Sequence, residues 1–415
     1  MPATDTEAPS LQRSEAERRG RQLRVAHTTL ELDLTDPGPT FGSRTTITFG
    51  TSEPGSETFL EFAGAELEAV ELNGYPFDPV RWVAGRIPLP ELRPDNSVTV
   101  RGRMAYSDDG EGLHRHVDPV DGRSYLYAMS FLNAGPRWFA CFDQPDLKST
   151  YELKVQAPQD WTVLGNGPST QTGPGRWRIV PAAPLSTYFV TLVAGPYASK
   201  YDRHSINGLD IPLGLHVRAS LAEHLDTEAA DLFEVTKASF DYYHRVFGIP
   251  YPFGEYHQAF VPDFNAGAME NPGCVTLRDQ FIYRSRATAA DRAARAGVVA
   301  HEMAHMWFGD LVTMSWWDDL WLNESFAEYL AHRCCDEATR YPLWTEFGIL
   351  RKDWGSIADQ GPSTHPVAGN GAVDALAALQ DFDGISYAKG AAVLKQLAAY
   401  VGDEVFFSGL RDYFG

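Results

Sequence analysis

Four side chains that can bind a metal ion or transfer protons lie close together in the sequence: His301, Glu302, His305 and Glu324. At about 100° per residue, two histidines four positions apart lie about 40° from each other on one helical face, so both imidazoles can bind one ion. Catalytic zinc takes a third protein ligand, often a carboxylate, and keeps a fourth position open. Glu324 is the candidate third ligand. Glu302, about 100° round the helix from His301, is placed to act as a general base on water at the metal.

The residues around the two histidines favour a buried site. Solvated histidines on a surface helix can share the same spacing, which is the alternative interpretation. Residues 297–300 (GVVA) and 306–308 (MWF), however, are apolar on both sides of the pair, and this predicts burial. Buried imidazole and carboxylate groups need partners, and a shared metal ion supplies one for all of them. The sequence therefore predicts one zinc ion (Zn2+) per chain.

Two helices must position these groups. The first begins near Thr288, because residues 288–291 (TAAD) have the form of a capping box, and Gly309 is its predicted end. Glu324 lies in a second helical segment, and a chain reversal would place the two segments side by side. Glu328, one turn after Glu324, could then orient a histidine ligand through the free ring N–H, or it could be a solvated helix residue.

The remaining sequence predicts a multidomain α+β protein. Residues 1–22 mix charges with Pro, Thr and Ser, which is typical of a disordered arm. Residues 23–201 contain short alternating runs separated by turn residues, which predicts an all-β domain. Residues 202–415 have mainly helical periodicity, which predicts a mostly α domain. Its predicted elements include a helix at 222–247, a strand at 258–262 and a loop at 361–371.

Composition excludes some classes of partner. The 415 residues are 44% hydrophobic and 22% charged, as in soluble globular proteins of about two domains. A formal net charge of −20 argues against nucleic acid and anionic membrane surfaces, and it attracts cations such as a peptide's α-amino group. The four cysteines fit neither a zinc knuckle nor a disulfide framework and are predicted to be reduced packing residues. With neither a signal-peptide core nor a membrane-length apolar stretch, the predicted location is the cytoplasm.

Several separated motifs together resemble peptidase family M1, the gluzincin aminopeptidases. In chain order they are residues 138–145 (WFACFDQP), 267–271 (GAMEN), 301–305 (HEMAH), 321–329 (WLNESFAEY) and 387–390 (YAKG). The resemblance covers about residue 125 to about residue 389. It implies a saddle-like N-terminal β domain, a thermolysin-like catalytic domain, a zinc cofactor, and peptides with a free N-terminus as substrates.

The resemblance also implies functional residues beyond the metal cluster. Tyr387 would donate a hydrogen bond to the oxyanion of the tetrahedral intermediate; from its residues alone, a half-buried tyrosine at a helix start is the simpler interpretation. Glu270 would bind the substrate's α-ammonium group through a charge-assisted hydrogen bond, the alternative being a solvated loop glutamate. The other members of the implied peptide-binding strand are Gly267, Ala268, Met269 and Asn271.

One departure from the family pattern concerns Met129, which occupies the position of a second amine-binding Gln or Glu. A thioether cannot bind ammonium as an amide or carboxylate would. Amine recognition would then be weaker or moved to other groups, and the substrate range would be unusual.

The leading interpretation is a zinc-dependent aminopeptidase that removes N-terminal residues from peptides through a zinc-activated water. The alternatives are a zinc endopeptidase, a dedicated peptide-processing protease, and a catalytically idle peptide-binding module. Family members continue well past residue 415, so the alternatives are a short form, a truncated chain, or one half of a split enzyme that a second polypeptide would complete. The last two are favoured over a short form.

Overall fold

The computed structural model describes residues 9–78 and 81–415, and these form two compact units. The first unit contains the chain up to Tyr197 together with Val373–Leu376. The second contains Ala198–Ala372 and Ala377–Gly415. The sequence predicts the boundary between domains at residue 201.

Strands build most of the first unit. They are β1 (Leu23–Asp33), β2 (Thr40–Thr51), β3 (Thr58–Glu61), β4 (Glu66–Leu72), β5 (Tyr75–Phe77), β6 (Arg86–Leu89), β7 (Asp95–Ala105), β8 (Gly112–Val117), β9 (Ser124–Met129), β10 (Thr150–Gln156), β11 (Thr162–Gly165), β12 (Ser169–Gly173), β13 (Arg176–Ile179) and β14 (Leu192–Gly195). Their sheets have the orders β12-β13-β10-β1-β2-β7-β4-β5, β11-β14-β9-β8 and β3-β6. Side chains alternate between the two faces of a strand, so in β7 Val98, Val100 and Met104 enter the core while Arg101 is exposed.

The prediction of a disordered arm over residues 1–22 is wrong for helix α1 (Arg13–Gln22). One buried side chain explains the order of this charged segment. Arg19 is 2% exposed, and its Nη1 atom lies 2.9 Å from both carboxylate oxygens of Glu61. Its guanidinium also lies over the ring of Phe59, 4.9 Å from the centroid. Residues 1–8, the start of the predicted arm, lie outside the described residues.

A five-stranded sheet opens the second unit. Its strands are β15 (Tyr197–Ile206), β16 (Leu209–Arg218), β17 (Tyr256–Val261), β18 (Ala268–Met269) and β19 (Cys274–Arg278), in the order β15-β16-β17-β19-β18. The β16, β17 and β19 strands run parallel, and β18 pairs with β19 in the antiparallel sense. The predicted strand at 258–262 therefore lies in β17, and the short strand β18 forms one edge of the sheet.

Helices make up the rest of the second unit and confirm the predicted change from an all-β to a mostly helical part. The helices that follow α1 are α2 (Ala222–Phe247), α3 (Ala289–His305), α4 (Trp321–Ala338), α5 (Trp344–Glu346), α6 (Lys352–Gln360), α7 (Ala375–Ala378), α8 (Gly390–Val401) and α9 (Asp403–Phe414). Two π-helical turns, Phe347–Arg351 and Ile385–Lys389, lie directly before α6 and α8. Within the described ranges, no helix has both the length and the apolarity needed to cross a membrane.

The two helices predicted around the histidines form as expected. Thr288 caps α3, its side chain accepting a hydrogen bond from the backbone N–H of Asp291, and this confirms the capping box. The helix ends at His305, and the chain then reverses through residues 306–310. Gly309 has φ +125° there, and a Cβ at this position would lie 2.8 Å from Asn323 Nδ2. Glycine thus permits the tight return that places α4 beside α3.

Candidate metal centre

His301, His305 and Glu324 bring three donor atoms together. The Nε2 atoms of the histidines lie 3.0 Å apart, and Glu324 Oε2 lies 3.4 Å from His301 Nε2 and 3.5 Å from His305 Nε2. In a tetrahedral zinc site with bonds of about 2.0–2.1 Å, neighbouring ligand atoms are about 3.3 Å apart. The three atoms therefore have the spacing of one face of such a tetrahedron.

The chemistry of these donors also fits a cation. Glu324 is 4% exposed, and its buried Oε2 atom accepts no hydrogen bond from any described residue. His305 Nδ1 lies 3.0 Å from the carbonyl oxygen of Phe308, which can only accept, so in the neutral ring this nitrogen carries the proton and Nε2 presents a lone pair. A metal ion between this buried carboxylate oxygen and the imidazole lone pair would supply a partner for both.

Two glutamates at the cluster have opposite electrostatic environments. Burial works to raise the pKa of Glu324, but the His305 and His301 rings outweigh it and lower that pKa to about 2. Burial raises the pKa of Glu302 well above its usual value, and the carboxylates of Glu270 and Glu324 raise it further, although His305 opposes them. One carboxylate is thus held ionised, as a metal ligand must be, and the other readily accepts a proton.

Glu328 is not the solvated helix residue that the sequence left as an alternative. It is 5% exposed, and Arg351 binds it through two contacts, Nε to Oε1 at 2.6 Å and Nη2 to Oε2 at 3.0 Å. Glu328 Oε2 lies 3.8 Å from His301 Nδ1. Its carboxylate therefore faces the outer nitrogen of a predicted ligand, and its role in orienting that ligand stays a prediction.

Arg351 itself was missed by the sequence analysis. It lies 23 residues from Glu328, at the end of the π-helical turn Phe347–Arg351, and no local pattern marks it. π-Helical turns are frequent at functional sites, and this turn is the one general feature that points to Arg351. It can be recognised only in the structure.

Tyr387 lies in the other π-helical turn, Ile385–Lys389, and its ring stacks on His301 with centroids 5.9 Å apart. Burial raises its pKa well above the usual value, and the nearby Glu324 and Glu270 carboxylates add to the effect. The phenol therefore keeps its proton and can act as a donor. Ser325, next to Glu324, ties this turn to α4 by donating a 2.6 Å hydrogen bond to the carbonyl of Ser386.

Glu270 follows the edge strand β18 and is 7% exposed, which excludes the alternative of a solvated loop glutamate. Burial raises its pKa and Glu324 raises it further, while His305 opposes them. Asn271 closes the turn after Glu270, since its Nδ2 donates to Thr276 Oγ1 at 3.2 Å. A Cβ at Gly267 would meet nothing within 4 Å, so the start of this segment has open space beside it.

The remaining residues of the implied peptide-binding strand, Ala268 and Met269, form β18 and pair with Leu277 and Thr276 of β19. Met129 belongs to the first unit, where it ends β9, pairs with Gly112 of β8 and is 5% exposed. Its effect on amine recognition stays a prediction.

The site has the arrangement that defines a class of metallopeptidases. Two histidines lie one helical turn apart, one glutamate lies on the next helix, and a second glutamate lies beside the first histidine. Comparison with known families agrees with this class. The model of the peptidase M1 N-terminal domain matches residues 104–188, and that of the peptidase family M1 domain matches residues 232–415.

Individual relatives agree with the family models. The chain is 46% identical to aminopeptidase N of Streptomyces lividans over 421 aligned residues, which cover 100% of the chain and 48% of that protein. It is 31% identical to probable aminopeptidase 1 of Sulfurisphaera tokodaii, covering 86% of the chain and 45% of the relative. Aminopeptidase M1 of Arabidopsis thaliana is 34% identical, with 75% and 34% covered.

The chain belongs to peptidase family M1, as the motifs implied. It spans about half or less of the length of these curated relatives. The comparisons do not support the second polypeptide, which was one of the alternatives drawn from the sequence.

Proposed function

We propose that this chain carries the active site of a zinc-dependent aminopeptidase, which hydrolyses the N-terminal residue from a peptide. The observation that carries the proposal is the triangle of donor atoms from His301, His305 and Glu324, with sides of 3.0, 3.4 and 3.5 Å. The buried glutamates at this cluster and the names of the three relatives, all aminopeptidases, support it. The cytoplasmic location stays a prediction from the sequence.

The chain's own residues would perform the proton transfers. Zinc, when bound, supplies Lewis acidity that activates water and polarises a carbonyl group. Glu302 takes a proton from the attacking water and gives it to the leaving amine. Tyr387 donates a hydrogen bond to the oxygen on which negative charge develops, as the raised pKa of its phenol allows.

Recognition of the free N-terminus would fall to Glu270 and the edge strand. An extended peptide can pair with the free edge of β18 through backbone hydrogen bonds. The chain of the substrate would then run towards Glu270, whose buried carboxylate offers a charge-assisted hydrogen bond to an α-ammonium group. The buried carboxylate favours an exopeptidase over an endopeptidase, and the complete donor set speaks against an idle binding module.

Metal analysis and turnover of an aminoacyl fluorogenic amide test the proposal. The wild-type chain is expected to contain one zinc ion and to hydrolyse the free amide but not its N-acetylated form. Glu302→Gln removes the base and keeps the shape of the side chain, so it should retain the zinc while turnover falls about 10²–10⁴-fold. Glu337→Gln serves as a control, because Glu337 pairs with Arg333 on the exposed side of α4. Wild-type protein without a stoichiometric transition metal, or a fully active Glu302→Gln variant, would refute the proposal.

A further inference from the structure

His365, in the loop that was predicted at 361–371, lies between two aspartates of the second unit. Its Nε2 atom is 3.3 Å from Asp383 Oδ1 and 3.7 Å from Asp381 Oδ1, and its side chain is 12% exposed. Nε2 makes no aligned hydrogen bond, so these contacts are electrostatic. Nδ1 lies 2.8 Å from the carbonyl oxygen of Pro366. Both nitrogens thus face carboxylate or carbonyl oxygens of the described residues.

Asp383 connects this ring to the segment that carries Tyr387. Its Oδ1 atom accepts the backbone N–H groups of Ile385 at 2.8 Å and Ser386 at 3.2 Å, and its carbonyl accepts that of Tyr387 at 3.2 Å. The first N–H groups of a helical segment have no partner within the segment, so a capping carboxylate fixes where it begins. The carboxylate of Asp383 therefore sets the start of the π-helical turn Ile385–Lys389.

Burial raises the pKa of Asp381 and the nearby Asp383 carboxylate raises it further, while the His365 ring between them opposes both. Asp381 is also held by Asn370, whose Nδ2 donates to Asp381 Oδ2 at 2.6 Å. Asn370 Oδ1 in turn accepts the N–H of Ala372 at 3.1 Å, and the carbonyl of Ala372 accepts Trp316 Nε1 at 2.8 Å. This set of bonds fixes the loop and with it the position of His365. The ring, fixed with its Nε2 atom 3.3 Å from Asp383 Oδ1, then restrains the carboxylate that caps the turn.

We propose that His365 is a positioning residue for Tyr387: it holds Asp383 in the orientation that caps the π-helical turn and thereby aims the Tyr387 hydroxyl at the metal centre. The part of this inference that concerns catalysis rests on the proposed function. The structural link from His365 through Asp383 to the turn does not depend on it.

Four variants of the full chain test the proposal: His365→Gln, Tyr387→Phe, the two combined, and His204→Gln. His204 is a matched control, because its Nε2 atom lies 2.9 Å from Asp241 Oδ1 and its side chain is 11% exposed, but it lies on β15 and has no contact with the turn. Each variant would be measured for zinc content, kcat and KM on an aminoacyl amide, and hydrogen exchange in peptides covering residues 383–390.

The expected result is specific to the turn. His365→Gln should keep one zinc ion, lower kcat about 10–100-fold with KM within about 3-fold, and speed exchange of amides 385–387 about 10-fold or more. In the Tyr387→Phe background the same change should alter kcat less than about 3-fold, because the hydroxyl through which it acts is absent. His204→Gln should match the wild type in every measurement.

Two outcomes would overturn the proposal: unchanged exchange of amides 385–387 in His365→Gln, or losses of kcat that simply multiply in the double variant. Wild-type protein that binds zinc but turns over no aminoacyl amide would instead contradict the proposed function. In that case the exchange measurement alone decides whether His365 controls the turn.

Discussion

At the level of individual residues, the candidate metal centre places three carboxylates in a buried position. Glu270, Glu302 and Glu324 are all at least 93% buried. When all three are ionised they carry three negative charges. A divalent metal ion and the α-ammonium group of a substrate would bring three positive charges. With all three carboxylates ionised, the charge of the site would be balanced when both are bound, and this would link metal binding to recognition of a free amine.

Replacing Glu270 by Gln tests this balance. The amide keeps the size of the side chain but loses its charge, so the hydrogen bond to ammonium becomes weaker. We expect kcat/KM for free aminoacyl amides to fall about 10–100-fold, mostly through KM, with zinc content unchanged. Turnover of free and N-acetylated substrates measures the preference for a free amine. An unchanged preference would exclude Glu270 as the amine ligand, and Glu234→Gln, on the exposed side of α2, provides the control.

At the level of elements, the crossing of α4 and α8 sets the distance between Glu324, a predicted metal ligand, and Tyr387. Helix α8 begins at Gly390, where an added Cβ would overlap Ser325 Oγ and lie 2.6 Å from Ser325 Cβ. Ser325 directly follows Glu324. The glycine of the YAKG motif therefore permits a close approach of two helices, and the hydrogen bond from Ser325 to the carbonyl of Ser386 depends on that approach.

Gly390→Ala should therefore push the two helices apart. We expect a loss of stability of about 1–3 kcal/mol, as for other overpacked sites, together with a fall in kcat at temperatures where the variant is fully folded. Gly409→Ala is the matched control: it lies within α9, its Cβ would meet nothing within 4 Å, and Ala stabilises a helix by about 0.5–1 kcal/mol relative to Gly. Denaturant unfolding and steady-state kinetics measure both effects. Equal behaviour of the two variants would contradict the role of the crossing.

Local sequence patterns were sufficient to predict several elements of secondary structure. The apolar spacing of residues 222–247 predicts a helix, and α2 has these bounds, because Gly248 ends it in the left-handed conformation at φ +69°. The capping box at Thr288 and the helical spacing of His301 and His305 are equally local. The residues that determine such elements are close neighbours in the chain. A local sequence pattern is therefore enough to predict the element.

Contacts between distant residues could not be predicted in this way. Helix α1 is ordered because Arg19 binds Glu61, 42 residues further on, and its composition alone is that of a disordered segment. Arg351, His365 and Asp383 act through partners on other elements or through backbone N–H groups, and no spacing marks them. The resemblance to a family located Tyr387 and Glu270, but the π-helical turn and the buried edge position that hold them appear only in the structure.

For the molecule as a whole, the formal net charge of −20 creates a field that acts on ligands before they bind. A cationic peptide is attracted by such a field and an anionic one is repelled. Salt screens this interaction, since the Debye length falls from about 30 Å at 0.01 M to about 3 Å at 1 M. The rate of substrate association should therefore depend on the charge of the substrate, and this dependence should weaken as the ionic strength rises.

Peptides that differ only in charge beyond the first residue test this. We expect kcat/KM at 0.01 M salt to be roughly 10-fold higher for a peptide with two lysines than for one with two glutamates, and the ratio to approach one at 1 M. A neutral glycine peptide controls for effects of salt on the enzyme itself. A ratio that does not change with salt would show that specific contacts, rather than the net charge, select the substrate.

The four buried cysteines have a practical consequence. Cys141 belongs to the first unit and Cys274, Cys334 and Cys335 to the second, and all are free thiols. Burial raises the pKa of Cys334 to about 12, and it raises those of the other three as well, so almost no thiolate exists at neutral pH. Alkylating reagents should therefore modify each unit only when it opens, and mass spectrometry of the modified peptides would time the opening of each unit separately without any introduced label.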